Sequence, residues 1–386
     1  MTYAQDRILF DADSHIMELP DFLIDYADAD YRAKAPKVPV PTTGTLANLM
    51  EEARDRRGHP DGTVAQLMAL GDQLISGPKG YMALGAFNAA ERTQALDQLG
   101  FKKQLVFATF SAGMTFRADL SDDDRYARAR AHNRGMSEFC SKDERLLGVA
   151  LIPTHDPKRA LETLNEAIGL GLRAAWIPHK AAGGRSPGHN DFDPLWARMA
   201  QAEIPFMLHV GGDPLQIDPA WMNTGRPVPT DCLGGGENVR GKDMTSLHHA
   251  AETFICCLVL DGVFERHPTL KGGVIELGGG WVPAMLRRLD WVADIWKKSE
   301  PDLAALTRKP SEQIIAHVAF TPYVYEDVGA MIRESDANLY MFSSDYPHTE
   351  GGRQPLARFA ATMVGVDETA QERFFNGNFA RLFEQA

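Results

Sequence analysis

Three short apolar runs in this 386-residue chain each end in side chains that bind divalent metals. The first is Phe10-Asp11-Ala12-Asp13-Ser14-His15-Ile16-Met17-Glu18. Residues two apart on an extended strand share a face, so Asp13 and His15 can point into one cavity. A carboxylate oxygen and an imidazole nitrogen at that spacing can grip one side of an ion. The second run, Ile204-Pro205-Phe206-Met207-Leu208-His209-Val210, is followed by Gly211 and Gly212, which let the backbone turn sharply. The third, Leu339-Tyr340-Met341-Phe342-Ser343-Ser344-Asp345-Tyr346-Pro347-His348, ends in a carboxylate with a His three residues on. Singly, each has a plainer reading: Asp11 or Asp13 caps a turn, His209 is a satisfied core residue, and Asp345 caps the next helix. Together, strand ends from the start, middle and end of the chain offer one O/N ligand set.

The elements that must position them alternate. Candidate strands are Ile8–Asp13, Gln104–Ala108, Leu147–Ile152, Ala174–Ile177, Phe206–His209, Gly273–Glu276, Ile315–Phe320 and Leu339–Ser343. Helical patterns lie between them, at Asn88–Leu99, Arg125–Lys142, Pro157–Leu170, Pro194–Gln201, Leu247–Arg266 and Val282–Trp296. Eight strands in alternation with helices predict a closed (β/α)₈ barrel of the TIM type, a doubly wound open sheet being the other arrangement with the same local pattern. The length suits one decorated barrel, so residues 1–386 are expected to form a single domain with insertions at about 31–85 and 211–246. Both insertions are rich in Gly and Pro and read as long loops, of the kind that form lids or binding surfaces.

Composition bounds the function. A formal charge of −12 without a compensating basic run excludes a nucleic-acid partner. No apolar stretch reaches the roughly 18 residues of a membrane span. Residues 1–6 lack the basic-then-apolar design of a signal peptide. Cys140, Cys232, Cys256 and Cys257 show no Cys-x-x-Cys spacing, which fits reduced thiols and a cytoplasmic location.

The ordered motifs resemble the amidohydrolase superfamily, and within it the aminocarboxymuconate-semialdehyde decarboxylase-like family of amidohydrolase-related proteins. The resemblance covers nearly the whole chain. It runs from Asp11–Glu18 through Asp191-Phe192-Asp193-Pro194-Leu195-Trp196 and Gly262-Val263-Phe264-Glu265-Arg266-His267-Pro268 to Ser344-Asp345-Tyr346-Pro347-His348 and Asn378-Phe379-Ala380-Arg381-Leu382-Phe383. It implies one divalent metal on Asp13, His15, His209 and Asp345, with Asp345 also handling protons. Zn²⁺ is the expected ion, and Mn²⁺ or Fe²⁺ also suit the ligands. One departure concerns strand six. Decarboxylases of this family usually end it in His, where this chain has Leu277, preceded by Glu276.

Around that core, His249 and Glu276 are candidate catalytic groups beside Asp345, with His249 rather than His248 facing the site. His179, His348, Arg92 and Trp221 are candidates for holding substrate. The expected reaction is hydrolysis of a small carboxylated or aromatic metabolite by metal-activated water. The alternative is non-oxidative decarboxylation of a phenolic or unsaturated acid. A homodimer is expected. Asp11-x-Asp13 also resembles the start of a haloacid-dehalogenase-type phosphatase, which would need an open sheet with Asp11 as nucleophile.

Overall fold

The computed structural model describes residues 2–40, 45–211, 217–227 and 240–383. Seven parallel strands bond in chain order: β1 (Phe10–Ile16), β2 (Lys103–Ala108), β3 (Leu146–Leu151), β4 (Ala174–Trp176), β5 (Phe206–His209), β6 (Gly272–Ile275) and β7 (Val318–Phe320). The eighth expected strand forms no continuous ladder, yet its backbone closes the ring. On one side Phe320 N donates to Leu339 O at 2.7 Å and Met341 N to Phe320 O at 2.9 Å. On the other, Ala12 N donates to Phe342 O at 3.0 Å, Asp345 N to Asp13 O at 2.9 Å and His15 N to Tyr346 O at 2.8 Å. The open-sheet alternative is therefore excluded. β7 starts three residues later than expected because the helix Pro310–His317, with Pro at its first position, runs directly into it.

Strand parity sorts the core into two layers. Leu105, Phe107, Val149, Leu151, Trp176, Met207, Ile275, Ala319 and Met341 fill the interior of the ring. Their neighbours Val106, Ala150, Leu208, Val274, Phe320 and Phe342 pack outward against the helices. Phe379, Leu382 and Phe383 of the final helix join the interior layer with Phe10 and plug its floor. The strand C-termini are left as the open end, where barrels place their chemistry.

The insertion at 31–85 differs from the loop expected. It holds helices Thr45–Arg56 and Asp61–Met68 and short 3₁₀ turns at Gly71–Ser76 and Gly80–Met82. Leu49, Met50 and Ala53 are buried at helical spacing, a signal masked by the surrounding charge and glycines. In the other insertion, residues 212–216 and 228–239 lie outside the described residues. Cys140, Cys256 and Cys257 are free thiols, while Cys232 falls outside the described residues. Among the described residues, no helix is long and apolar enough to cross a membrane.

Candidate metal centre and active site

A bulge in β1 sets the site. Its register with β2 shifts between Asp11 and Ser14, so the parity of inward side chains changes at that point. Below the bulge Ala12 faces the interior; above it Asp13 and His15 do, and Ser14 Oγ turns outward to donate to Leu105 O at 2.7 Å. On β5, His209 lies two residues beyond inward Met207 and so keeps the inward phase. Glu276 follows inward Ile275, so regular extension would send it outward. Its φ of +54° turns it in instead, and Leu277 takes the outer core position. Asp345 likewise sits at φ +52°. Left-handed backbone at a non-Gly residue costs about 1–3 kcal/mol, and two such residues at one strand-end cluster mark a built site.

Ligand atoms of Asp13, His15, His209 and Glu276 all lie within 4.8 Å of one another. Asp13 Oδ1 is 3.3 Å from His15 Nε2 and 3.3 Å from His209 Nε2, which is 3.6 Å from Glu276 Oε2. Donors about 2.1 Å from a tetrahedral ion stand roughly 3.4 Å apart, so these spacings fit a divalent cation. The tautomers agree. His15 Nδ1 is 2.9 Å from Ala108 O and His209 Nδ1 is 2.8 Å from Val210 O. A carbonyl only accepts, so each Nδ1 carries the proton and each Nε2 offers its lone pair to the centre. Burial alone would raise Asp13, but His209 and His15 hold it below the usual carboxylate range. His15 is pushed down to about 4 by burial, with His348 adding to the effect. An ionised carboxylate beside imidazole Nε2 lone pairs is the arrangement that binds a cation.

Beside this cluster, Asp345 groups with His15 and His348. Its Oδ1 is 3.5 Å from His15 Nε2 and 3.0 Å from His348 Nδ1. His15 Nε2 and both Asp345 oxygens are buried without a well-directed hydrogen bond, as groups awaiting a ligand would be. The His348 ring stacks on His15 with centroids 3.9 Å apart. Its Nε2 lies 2.9 Å from Thr109 Oγ1, which is itself 2.9 Å from Ile16 O. The hydroxyl has one proton, which goes to the carbonyl, so Thr109 accepts from His348 Nε2–H. With the other ring nitrogen facing a carboxylate, His348 is an imidazolium. Burial opposes this, but Asp345 raises the ring to about 9.

These groups open into a cavity of about 660 Å³. Phe110, Trp176, Tyr323, Val324, Met244 and Leu247 supply largely apolar walls. Of these, Met244 and Leu247 come from the second insertion and its exit. The sequence reading missed Trp176, Tyr323, Thr109 and Phe110. The position of Trp176 at the end of a strand was its one visible signal. Glu18 was visible only as part of the opening motif. It accepts from the backbone N–H groups of Thr109, Phe110 and Ser111, each at 3.1 Å, and from Ser111 Oγ at 2.6 Å. That holds the loop carrying Thr109 and Phe110 against the cavity.

Other expected residues fall elsewhere. Arg92 lies wholly buried behind the site, where its guanidinium donates to Gly85 O, Gln104 Oε1 and His15 O, and it does not line the cavity. Its substrate role gives way to support of the His15 backbone. His249 is exposed and off the cavity wall, while His248 is half-buried and stacks on Trp281. The helix starting at His249 is rotated relative to the expected facing, because Ala251, Phe254 and Ile255 take its buried side. Trp221 is 76% exposed and also off the wall. His179 is buried near His209, held down at about 3 by burial and the charges of His209 and Lys180. Asp11 is no nucleophile. It is fully buried and accepts from Ser344 N and Oγ and from Gln104 Nε2, at 2.7, 2.6 and 2.8 Å. These bonds tie the eighth segment to β1 and β2, and burial pushes the Asp11 carboxyl up to about 7.

The site geometry agrees with the family comparison, in which the amidohydrolase family model matches residues 4–385. The chain belongs to the amidohydrolase family. It is similar to decarboxylase orsB of Emericella nidulans, 25% identical over 68% of this chain and 75% of that one. It is 30% identical to the gamma-resorcylate decarboxylase of Rhodococcus jostii over 57% of this chain and 66% of that one. Among solved structures, the amidohydrolase map2389c from Mycobacterium avium subsp. paratuberculosis K-10 superposes with a TM-score of 0.72 at 21% identity, covering 98% of this chain and 100% of that one. A dihydroxybenzoic acid decarboxylase from Polaromonas sp. JS666, solved with manganese and 2-nitroresorcinol, gives 0.62 at 18% identity, with 98% of each chain covered. As a member of this family the chain is an enzyme, a hydrolase or a decarboxylase, with a site built for a divalent metal.

Proposed function

We propose that this enzyme decarboxylates a phenolic aromatic acid without redox chemistry. This reverses the order expected from Leu277, which put hydrolysis first; both sequence relatives are decarboxylases. The observation that carries the reading is the Asp345–His348 pair, at 3.0 Å, facing an apolar-walled cavity beside the metal cluster. Asp13, His15 and His209 would hold the cation. When bound, it supplies Lewis acidity for a substrate carboxylate and an adjacent oxygen. Manganese is the first ion to test, since a solved decarboxylase of this fold holds it; Zn²⁺ fits the same donors.

The protein's own groups then account for the proton. Asp345 carries it to the ring carbon that bears the carboxylate, and His348 restores it from Nδ1. A C–H bond forms at that carbon and the bond to the carboxylate carbon breaks. Its electron pair returns to the ring, and CO₂ leaves. Trp176, Phe110 and Tyr323 offer flat surfaces for an aromatic ring and keep bulk water away. In assembly, Trp291, Ile295 and Trp296 expose apolar surface on helix Val282–Trp296, which supports the expected homodimer; light scattering reads it directly.

The test is turnover by the Mn²⁺-loaded protein of gamma-resorcylate and a panel of phenolic acids in D₂O. The expected result is one CO₂ per phenol formed, with one deuterium at the vacated carbon. Ester, lactone or amide cleavage with ¹⁸O from water, and no CO₂ from any acid, would reverse the proposal.

A further inference from the structure

We infer that Glu326 is a specificity-determining positioning residue, whose carboxylate fixes Tyr323 as a wall of the slot that takes the substrate's ring. The inference rests on the aromatic-acid reading above. Tyr323 lines the cavity from the loop that leaves β7, outside any helix or strand. Glu326 folds back on that loop. Its Oε2 accepts from Tyr323 N at 2.7 Å, and Glu326 N donates to Tyr323 O at 2.9 Å. The same carboxylate crosses to the loop that leaves β6, where Gly279 N donates to Oε2 at 2.9 Å and Gly280 N to Oε1 at 2.7 Å. Both oxygens act as acceptors in these bonds, as those of an ionised carboxylate do, and charge-assisted bonds are roughly twice as strong as neutral ones.

The glycines after Leu277 are shaped to this contact. A Cβ on Gly278 would stand 2.8 Å from Tyr323 Cε2 and 2.9 Å from Cδ2, and one on Gly280 would stand 2.8 Å from Glu326 Oε1. Gly278 also has a φ of +72°, which favours glycine. The Tyr323 ring therefore lies directly on the backbone of the β6 loop, close in sequence to Glu276. Trp281 holds that backbone too, its Nε1 3.1 Å from Leu277 O and 3.0 Å from Gly278 O. Two of the cavity's flat walls are thus held alike. Glu18 braces the loop with Phe110 and Glu326 the loop with Tyr323, whereas Trp176 sits in β4 itself. A wall fixed before binding spares the ordering cost that a mobile side chain adds on association.

The test is a double-mutant cycle on ligand affinity in the Mn²⁺-loaded protein. The probe is 2-nitroresorcinol, the compound in the Polaromonas structure, titrated by calorimetry. Glu326→Ala is expected to weaken it about 3–10-fold, the cost of re-ordering one side chain, with Mn²⁺ affinity within about 3-fold of the parent. Glu326→Gln should recover part of the loss, because an amide oxygen can accept both bonds made to Oε2 while its NH₂ faces the Gly280 N–H. In a Tyr323→Ala background, Glu326→Ala should cost less than about 2-fold. Parental affinity in Glu326→Ala overturns the assignment. So does an equal loss with and without Tyr323, which would make Glu326 a general loop brace. If Glu326→Ala does not fold, Glu326→Gln takes its place in the cycle, with a loss of at least about 2-fold expected and the same results overturning it. For a phenolic acid that the parent turns over, KM should follow the same cycle while kcat changes less. A parent that neither binds 2-nitroresorcinol nor turns over any phenolic acid would sink the aromatic-acid reading, and this inference with it.

Discussion

Replacing Arg92 by Met separates a structural guanidinium from a substrate-binding one. The wild-type side chain is buried and donates to Gly85 O, Gln104 Oε1 and His15 O. Its charged end lies over the rings of Phe139 and Tyr346, at 5.5 and 5.3 Å from their centroids. Met keeps most of the stem and its packing but removes all three bonds. Each acceptor left bare in the interior costs about 1–3 kcal/mol. The loss is partly offset, because burying the guanidinium was itself unfavourable; burial presses its pKa below the ordinary value. A net loss of about 3–5 kcal/mol follows, the range for breaking buried charged networks. At about 2.1 cal/mol/K per residue, a chain of 386 residues has an unfolding entropy near 0.8 kcal/mol/K. The melting temperature should therefore fall by about 4–6 °C in a scan followed by circular dichroism at fixed Mn²⁺. KM should change little once the protein is folded. A Tm within 1 °C of wild type together with a KM raised about 10-fold or more would refute this placement and restore the substrate role.

Three further outcomes are expected. His348→Gln should lower kcat by about 10²–10⁴-fold while metal content stays at the parental level, and a drop smaller than 10-fold would remove His348 from the proton path. Chelating the metal should lower Tm reversibly, by about 3 °C relative to protein at 100 times the Kd, where binding contributes about 2.7 kcal/mol; no shift would mean that the centre is not occupied in the folded state. His59 provides a pH-dependent stability term. Burial alone would lower it, but its 2.6 Å contact with Glu91 and its bond to Tyr81 O raise it above the ordinary value. A raised histidine stabilises most below its unfolded pKa, near 6.5, and loses that contribution as pH rises through the folded value. The Tm gap between wild type and His59→Asn should thus be wider at pH 5.5 than at pH 9.5, and an equal gap at both would contradict the linkage.

Much of the site was legible because its residues end strands, where alternation and chain order suffice. Asp13, His15 and His209 follow from the two-residue period and the apolar runs before them. The inward turn of Glu276 was not legible. Nothing in Val274-Ile275-Glu276-Leu277 announces a left-handed residue, and parity argues the other way. The β1 bulge was equally hidden, although Asp13 and His15 still turn their ligand atoms to one cluster, since residues two apart share a face on either side of it. The eighth strand was located without its irregularity, because closure rests on scattered backbone bonds rather than a ladder. Arg92 and His249 were misplaced for a common reason: sequence shows that a side chain is ionisable and near a motif, but not which way its helix is rotated.

The balance of charge also bears on the choice between hydrolysis and decarboxylation. Asp13, Glu276 and Asp345 bring three carboxylates to one end of the barrel, and the described cavity wall contains no Lys or Arg. Lys79, half-buried and off the cavity wall, has its Nζ enclosed and lies in the field of Asp345, Asp11 and Glu350; the Glu350 charge offsets its own. A divalent cation and the His348 imidazolium together offset the three carboxylates. An aromatic carboxylate entering this site adds one uncompensated negative charge in a desolvated space, which is costly. Decarboxylation removes that charge: one proton is consumed, and both the phenol and CO₂ leave neutral. Ester hydrolysis would instead create a new carboxylate in the same space. The arrangement of charge therefore favours the reaction that discharges the substrate.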